Sequence, residues 1–428
     1  MYSYTSNPTL KDSDYDGIDD NLDPYPLDNT FDANLVYDDL TCKVSFQVDY
    51  RDIVAGDNTT YNKNLAVLTS LLSSNVYHGS YLDVTRGVTS QANNGRDKDA
   101  AQTFGTMFGL ESSEYYQIKG SDYSYDRDDV TDFTIGHRKV TYNGKTTDVI
   151  VLAVRGTGSS NGEWSSNFDV GADTNSYANI EGMNNRSHPY WKNLNNHKGF
   201  DVTANRIKEI VDKYLSEHVD QSSNIDRKIL ITGHSRGGAI ANILGAEFED
   251  DPNYTSFTYT FAAPNTTTSS NASSYSSIFN IVNSDDMIPQ LPLSSWGFTK
   301  YGTTKQCSVF SKYAVFGGSG YRMMNANTYE ALTKRSYNCD SFTQSTLNYL
   351  AKTSNTRADL YQIDYSSDGE TSDDWFGHYW RSGANSDLVK KRGELDSEKL
   401  SRFCLTYVRD PGWGLPYQCT IRHSPAYL

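Results

Sequence analysis

The spacing of hydrophobic positions changes along the chain and predicts alternating strands and helices. Leu65, Leu68, Leu72 and Val76 recur at helical spacing, whereas the run KILIT is almost continuously apolar, as buried strands are. We predict strands at 43–50, 132–141, 147–154, 228–232, 256–262 and 278–282, and helices at 64–77, 197–214 and 239–248. This alternation favours the α/β class, with a mostly parallel sheet covered by helices on both faces.

The pattern also divides the chain into regions. Residues 1–34 are acidic and polar, residues 35–428 carry the α/β pattern, and residues 302–417 within them are harder to assign to elements. We expect an N-terminal segment followed by one large domain that has an insertion or cap at about 302–417. The length of 428 residues agrees, because a single core rarely grows far beyond roughly 300 residues.

Composition and charge exclude several classes of function. The chain has 38 lysines and arginines against 53 aspartates and glutamates, a net charge of −15, which repels phosphate backbones, so no nucleic acid partner is expected. It has no apolar run of about 18 residues, so no transmembrane helix is expected. The N-terminal residues lack the pattern of a secretion signal, so the chain is either intracellular or has lost its signal. Its five cysteines form no CxxC pair, which leaves free thiols and one or two late bridges both open.

A run of alternating acids near the N-terminus predicts calcium binding. The segment DSDYDGIDDNLD fits positions 1, 3, 5, 7, 9 and 12 of a calcium loop, with Gly17 at position 6, where the loop turns sharply. The alternative is a solvated acidic linker. The predicted oxygen ligands are Asp12, Asp14, Asp16, the Ile18 carbonyl, Asp20 and Asp23.

This loop resembles a thrombospondin type 3 repeat more than a paired EF-hand, because its last ligand is aspartate and PYP follows in place of a helix. Such repeats imply extracellular calcium in a structural role. The resemblance therefore implies a protein that is secreted or attached to the cell surface, the latter through regions outside this chain.

A GxSxG pentapeptide marks the candidate nucleophile. The predicted strand KILIT runs into Gly233, His234, Ser235, Arg236 and Gly237, and a helix rich in small residues follows. A nucleophile on such a sharp turn leaves no room for Cβ atoms on either side, which explains both glycines. We predict Ser235 as the nucleophile, with a glycine-rich packing turn as the alternative, and expect His234 to be a packing residue.

The end of another predicted strand offers the second part of a hydrolytic site. A serine needs a base to take its proton, and the oxyanion that forms needs hydrogen-bond donors that are already in position before the reaction. The run DVIVLAV ends in Arg155, Gly156 and Thr157. The amide and hydroxyl of Thr157 could join the amide of Arg236 in an oxyanion hole, and an ordinary strand-end turn is the alternative.

Several motifs in a fixed order resemble those of the class 3 lipases, an α/β-hydrolase family, in a bacterial form with a TGHSRGG elbow. They are RGT followed by Trp164 and Asp169, HKGF at 197–200, TGHSRGG at 232–238, TFAAP at 260–264, DDMIPQLP at 285–292 and a late histidine. The resemblance covers roughly residues 43–301 and the C-terminal end of the chain. It implies an α/β-hydrolase fold, a Ser-His-Asp triad and an ester or lipid substrate.

The resemblance assigns the other triad members by position. The family's acid precedes a short apolar pair and a proline, which makes Asp286 the match and Asp285 the register alternative. The chain order Ser, Asp, His leaves His423 and His378 as candidate bases. His423 is the predicted base, because it resembles the family's final histidine. His197 matches a family motif but precedes the nucleophile, so we expect it to be structural.

The sequence specifies the substrate less closely than it specifies the reaction. Residues 158–187 are mostly small, polar or acidic, unlike the apolar lid of an interfacial lipase, whereas 302–417 is rich in aromatic residues that suit an acyl-binding wall. We expect a lipase or esterase that needs no catalytic cofactor, with a phospholipase second. The alternative from another class of function is a surface binding or adhesion module that has a hydrolase fold but no catalytic activity.

Overall fold

The computed structural model describes residues 6–37, 40–77, 80–84, 105, 108–120, 129–157, 166–167, 189–283, 288–292, 294 and 297–307. Within these residues lie ten β-strands and four α-helices. The strands are β1 (Thr30–Tyr37), β2 (Leu40–Gln47), β3 (Ser80–Val84), β4 (Ser112–Lys119), β5 (Val130–Tyr142), β6 (Lys145–Val154), β7 (Asp226–His234), β8 (Thr255–Phe261), β9 (Ile278–Asn283) and β10 (Thr303–Cys307). The helices are α1 (Arg51–Val54), α2 (Lys63–Asn75), α3 (Lys198–His218) and α4 (Arg236–Glu249).

Seven strands form a central sheet in the order β10-β9-β8-β7-β6-β5-β4. Strands β6 to β10 run parallel to one another, whereas β4, β5 and β6 pair antiparallel. The parallel register sets Val154 at the end of β6 opposite Gly233 near the end of β7. The segments that follow these two strands therefore emerge side by side at the carboxyl edge of the sheet, where α/β sheets place their sites.

Alternate residues of the central strand β6 pack into two separate cores. Val149 and Val151 join Leu68 of α2 in one hydrophobic cluster, and Ile150 and Leu152 join residues of α3 and α4 in the other. Successive side chains of a strand point to opposite faces. Burial on both faces therefore explains why this strand is apolar without alternation.

The N-terminal segment packs against the first of these cores. Ile18 and Phe31 are 8% and 2% exposed and belong to the cluster that contains Val149. The N–H of Tyr50 donates to the carbonyl of Tyr15 at 2.9 Å. Strand β1 extends across the domain boundary predicted after residue 34, and the boundary itself stays a prediction. Strands β2, β1 and β3 form a separate antiparallel sheet.

The predicted α/β-hydrolase class is confirmed in the mostly parallel sheet with helices on both faces. The pattern did not predict β4 and β10, the two edge strands of the sheet, because partly exposed edges lack a continuous apolar run. Strand β10 occupies the first residues of the predicted insertion, and residues 308–417 lie outside the described residues. None of the helices in the described part of the chain has the length and apolarity that crossing a membrane requires.

Candidate active site

Ser235 lies on the turn between β7 and α4. Its φ of 56° and ψ of −127° fall outside the regions that residues with a Cβ normally adopt. Its N–H donates to the carbonyl of Phe261 at 2.9 Å, and its carbonyl accepts from the N–H of Ala239 at 3.0 Å. Strand β8 and helix α4 thus hold the turn in a strained conformation, which is the geometry that exposes a nucleophile above an α/β sheet.

Two glycines allow this turn to pack against its neighbours. A Cβ on Gly233 would lie 2.3 Å from the carbonyl oxygen of Gly237, and a Cβ on Gly237 would lie 2.3 Å from the carbonyl oxygen of Val154. Both distances are far shorter than van der Waals contact. A larger residue at Gly233 would therefore push the end of β7 away from the start of α4, and one at Gly237 would push the turn away from the end of β6.

The residues that follow β6 lie directly beside the turn. A Cβ on Gly156 would lie 2.6 Å from the carbonyl oxygen of His234. Thr157 comes next and is half-buried, and its Oγ1 accepts a hydrogen bond from Nδ2 of Asn167 at 2.9 Å. Arg236 is the first residue of α4, so its amide lies at the positive end of that helix. The two predicted oxyanion residues, Thr157 and Arg236, thus lie in two segments that touch each other where Gly156 meets His234.

Two buried ion pairs hold these segments to β5 and the loop before it. Nη2 of Arg236 lies 2.6 Å from Oδ1 of Asp129, and Nε of Arg155 lies 2.5 Å from Oδ2 of Asp132. All four side chains are at most 2% exposed. Both guanidinium groups also donate to the carbonyl of Val130, at 3.1 and 3.3 Å. Removing one partner of a buried pair costs about 3–5 kcal/mol, so these pairs are strong constraints on the elbow and the strand end.

The two histidines expected to be structural are buried and hydrogen-bonded. Nδ1 of His234 lies 2.9 Å from the hydroxyl of Tyr77. Nε2 of His197 lies 3.1 Å from the carbonyl oxygen of Asn167, and its ring stacks on Phe200 with 3.8 Å between the centroids. These contacts agree with packing roles for both.

The predicted acid and base lie outside the described residues. This applies to Asp286 and its alternative Asp285, and to His423 and its alternative His378. Strand β9 ends at Asn283, at the same carboxyl edge of the sheet as β7. The assignment of the acid and the base stays a prediction.

The acidic N-terminal loop brings three of the predicted calcium ligands together. Carboxylate oxygens of Asp12, Asp14 and Asp16 lie within 4.8 Å of one another. The two carboxylate oxygens of Asp12 accept from the N–H groups of Tyr15 and Gly17, at 2.7 and 2.9 Å. Gly17 has a φ of 93°, which glycine adopts without strain, as predicted for the sixth position.

The remaining predicted ligands differ in their contacts. The carboxylate of Asp20 accepts from the amide and the hydroxyl of Ser13, each at 2.7 Å. The N–H of Ile18 donates to Oδ1 of Asp16 at 2.7 Å. Asp23 is 7% exposed and close enough to Asp16 to act on its ionisation.

The charge of this cluster is unfavourable without a cation. The pKa of Asp16 is raised to about 8, mainly by burial and to a smaller extent by the neighbouring charges of Asp14, Asp23 and Asp12, against the lowering effect of the Ile18 hydrogen bond. Burial also raises the pKa of Asp12. Several buried carboxylate oxygens on one tight turn fit a hard divalent cation such as calcium, which would offset this repulsion.

No direct sequence signal identified Asp129 or Asn167 as neighbours of the turn at Ser235. Asp129 lies in the polar run DRDDVTD and Asn167 in a stretch of small polar residues, both of which are typical of exposed loops. One indirect signal was present. A charged residue, Arg236, directly follows the serine at the start of a buried helix, and a buried arginine requires an acidic partner.

A family model described as Lipase (class 3) matches residues 151–296, which include Thr157 and Ser235. No curated protein matches the sequence.

Among solved structures, a lipase from Rhizopus microsporus var. chinensis is 18% identical over 49% of this chain and 65% of its own, with a TM-score of 0.30. M37 lipase is 18% identical over 54% of this chain and 70% of its own, with a TM-score of 0.35. A mono- and diacylglycerol lipase from Aspergillus oryzae is 21% identical over 41% of this chain and 64% of its own, with a TM-score of 0.29. The chain thus spans about two thirds of the length of these lipases.

Proposed function

We propose that this chain is a serine hydrolase that cleaves carboxylic ester bonds in a lipid-like substrate. The observation that carries the proposal is the strained turn at Ser235, with its φ of 56°, between β7 and α4. Strain of this kind costs about 1–3 kcal/mol and clusters at functional sites. The match of the class 3 lipase model to residues 151–296 supports a lipase-type ester hydrolase.

The proposed reaction proceeds through an acyl-enzyme. Oγ of Ser235 attacks the acyl carbon while the imidazole of His423 takes its proton, and Asp286 orients that imidazole and stabilises the imidazolium. The amides of Thr157 and Arg236, together with the Thr157 hydroxyl, donate to the oxyanion. The imidazolium then gives its proton to the leaving alcohol. Water attacks the acyl-enzyme by the same route, which releases the acid and restores the serine.

A fluorophosphonate probe tests the nucleophile. We expect it to label the wild-type chain and Ser216→Ala, in which an exposed serine of α3 is replaced, but not Ser235→Ala. Absence of labelling in a folded wild-type chain would instead support the inactive surface binding or adhesion module.

Ester hydrolysis by single variants tests the acid and the base. We expect His423→Ala and Asp286→Ala to lower kcat by about 10⁴-fold, as loss of a triad member does. His378→Ala and Asp285→Ala, which change the alternative base and the alternative acid, serve as matched controls. Loss of activity only in His378→Ala or only in Asp285→Ala would reverse the corresponding assignment.

Neutral esters are the proposed substrates, with phospholipids as the second candidate. The polar composition of residues 158–187 disfavours a lid that opens at an oil surface, and the net charge of −15 disfavours acidic lipid surfaces. Rates on nitrophenyl esters of increasing chain length, compared with release of fatty acid from phosphatidylcholine, distinguish an esterase or lipase from a phospholipase.

We also propose that the acidic loop holds one structural calcium ion and that catalysis needs no cofactor. The residues that would hold the ion are Asp12, Asp14, Asp16, the Ile18 carbonyl, Asp20 and Asp23, and the close approach of the first three supports this. Because the thrombospondin type 3 repeats that this loop resembles imply extracellular calcium, we propose that the protein is secreted or attached to the cell surface. Calorimetric titration should give one calcium site that Asp14→Asn weakens.

A further inference from the structure

A buried lysine holds the short segment that follows the predicted acid. Lys300 is 8% exposed, and its Nζ donates to the carbonyl of Pro289 at 2.6 Å and to Oδ1 of Asn265 at 2.7 Å. Hydrogen bonds from a charged donor are roughly twice as strong as those between neutral groups. Because Asp286 lies three residues before Pro289, this lysine fixes the chain close to the predicted acid.

Asn265 holds the same segment through two further hydrogen bonds. Its N–H donates to the carbonyl of Leu291 at 2.7 Å, and its Nδ2 donates to the carbonyl of Pro292 at 2.8 Å. Asn265 is 8% exposed and Leu291 is fully buried, so water competes little for these bonds. Together with the bond from Lys300 to Pro289, they fix three carbonyl groups within four residues of chain.

The residues that follow β8 connect this anchor to the turn of the nucleophile. Strand β8 ends at Phe261, whose carbonyl accepts from the N–H of Ser235 at 2.9 Å, and Asn265 follows four residues later. Thr267 and Thr299, the residue before the buried lysine, each donate an N–H to the carbonyl of the other, at 3.0 and 2.7 Å. One backbone segment is therefore attached both to the nucleophile turn and to the lysine, as residues that orient a catalytic group require.

The length of the chain limits how far Asp286 can lie from these contacts. Strand β9 ends at Asn283 within the central sheet, and Pro289, six residues further on, is held by Lys300. Each residue of an extended chain spans at most about 3.6 Å, so the Cα atom of Asp286 lies within about 11 Å of the Cα atom at either end. Release of one end therefore gives the acid a new range of positions.

We propose that Lys300 and Asn265 are positioning residues for Asp286, the acid of the proposed triad. Lys300 fixes the chain three residues after the acid, and Asn265 joins that chain to the segment that also supports the nucleophile turn. The inference rests on the proposed serine hydrolase function and deepens it, because it names residues that set the acid without touching the substrate.

The substitution Lys300→Met tests the anchor. Methionine is also long and unbranched but donates no hydrogen bond, so it releases the carbonyl of Pro289. A misplacement of about 1 Å caused by a change far from the reacting atoms can cost about 100-fold in rate. We expect kcat, counted per folded chain, to fall by about 10- to 100-fold, while KM changes by less than about twofold because neither the lysine nor the acid binds the substrate.

A double-mutant cycle separates positioning from a general structural role. In Asp286→Ala, adding Lys300→Met should lower kcat by less than about twofold, because no carboxylate remains to be positioned. Equal losses with and without Asp286 would show that Lys300 acts only through packing and would overturn the inference. If the single variants identify Asp285 as the acid, the cycle is run with Asp285→Ala, since the same anchor follows either residue.

Lys228→Met is the matched control. Nζ of Lys228 also donates to two backbone carbonyls, those of Ile53 and Val54, at 3.0 and 3.2 Å. This lysine lies near the start of β7, whereas Ser235 follows the end of that strand. Its substitution should change the Tm without changing kcat per folded chain.

A second variant replaces Lys300→Met in the cycle if that chain does not fold. Asn265→Asp still accepts from Lys300 but cannot donate to the carbonyl of Pro292. We expect it to lower kcat by about 10-fold or more when Asp286 is present and by less than about twofold in Asp286→Ala.

Two different failures are distinguishable. If the wild-type chain does not react with the fluorophosphonate at Ser235, the proposed function fails and the inference fails with it. If the wild type reacts and Lys300→Met, or Asn265→Asp in its place, keeps kcat within about twofold, as a variant that leaves the acid in position would, only the inference is overturned.

Discussion

The backbone of Ser235 is strained in a way that depends on its Cβ. Its φ of 56° and ψ of −127° are readily available to glycine and unfavourable for other residues. The proposed reaction needs the side chain, so stability and activity make opposite demands at this position.

We expect Ser235→Gly to be more stable than Ser235→Ala by about 1 kcal/mol, because glycine relieves the strain that alanine retains. Both variants lose the hydroxyl, so both should be inactive. Urea unfolding monitored by circular dichroism provides the measurement. At Ser216, in the regular helix α3, the order should invert, because glycine lowers helix stability by roughly 1 kcal/mol relative to alanine. A Ser235→Ala chain as stable as Ser235→Gly would show that the turn is not strained.

Glu247 on α4 links stability to pH. Burial, with a smaller contribution from the charge of Asp201, raises the pKa of this carboxyl from 4.5 to about 7. Burial likewise raises the pKa of Asp201 to about 6. A folded pKa above the unfolded value means that the contribution to stability is present below about pH 4.5 and is lost as the pH rises through about 7.

We therefore expect Glu247→Gln to be more stable than the wild type by about 1–3 kcal/mol near pH 8 and nearly equal to it near pH 4. The neutral amide avoids the cost of a buried charge that the wild type incurs only when ionised. Urea unfolding at several pH values measures the difference. Glu217→Gln, at an exposed glutamate on α3, is the control for the loss of one carboxylate. The same stability difference at both pH values would contradict the titration of Glu247.

At the scale of elements, the acidic loop is joined to β5 through Arg138. Nη1 of Arg138 donates to the carbonyls of Gly17 and Gly109, at 2.6 and 2.7 Å. The hydroxyl of Tyr50 donates to the carbonyl of Phe108 at 2.6 Å. The loop is therefore attached to the central sheet, and any ion that it binds stabilises the sheet as well.

We expect calcium to invert the stability order of the wild type and Asp16→Asn. Without calcium the variant should have the higher Tm, because it removes a charge that burial and neighbouring acids make unfavourable. Calcium at 100 times the Kd should stabilise the wild type by about 2–3 kcal/mol relative to its calcium-free form, which makes it the more stable of the two. Calorimetric melting in chelator and in calcium measures both, with magnesium as the control ion.

The coupling to the sheet has a test of its own. Arg138→Met keeps a long side chain but removes the hydrogen bonds to Gly17 and Gly109, so calcium should raise its Tm less than that of the wild type. An equal calcium effect in both chains would show that Arg138 does not transmit the stabilisation.

At the scale of the whole molecule, the net charge of −15 governs encounters with lipid surfaces. In the presence of a chelator we expect weaker binding to anionic vesicles than to zwitterionic ones at low salt. The difference should narrow when ionic strength rises from about 0.01 to 0.15 M, because the Debye length falls from about 30 to 8 Å. Sedimentation with vesicles measures the binding, and hydrolysis of a water-soluble ester is the control. Tighter binding to anionic vesicles in chelator would show that a local patch outweighs the net charge.

The sheet could be predicted because its central strands are buried on both faces. The runs ending in Arg155 and in Gly233 contain almost only apolar residues, and such runs have few alternative placements in an α/β protein. Strands β4 and β10 at the edges could not be predicted, since a partly exposed strand has no continuous apolar run. The glycines that flank Ser235 predicted that it lies on a turn. They did not predict which contacts hold that turn in place.

The amino-acid sequence by itself determined which local structures form and which chemistry is available. Apolar spacing gave the order of strands and helices, glycines marked the turn at Ser235, and alternating acids marked the loop around Gly17. Only the tertiary structure decided that Asp129, Ser166 and Asn167 lie beside Arg236 and Thr157, through buried contacts at 2.6–3.2 Å. The physical reason is that local patterns depend on neighbours within a few residues, whereas these contacts join loops and helices that the packed sheet brings together from distant parts of the chain.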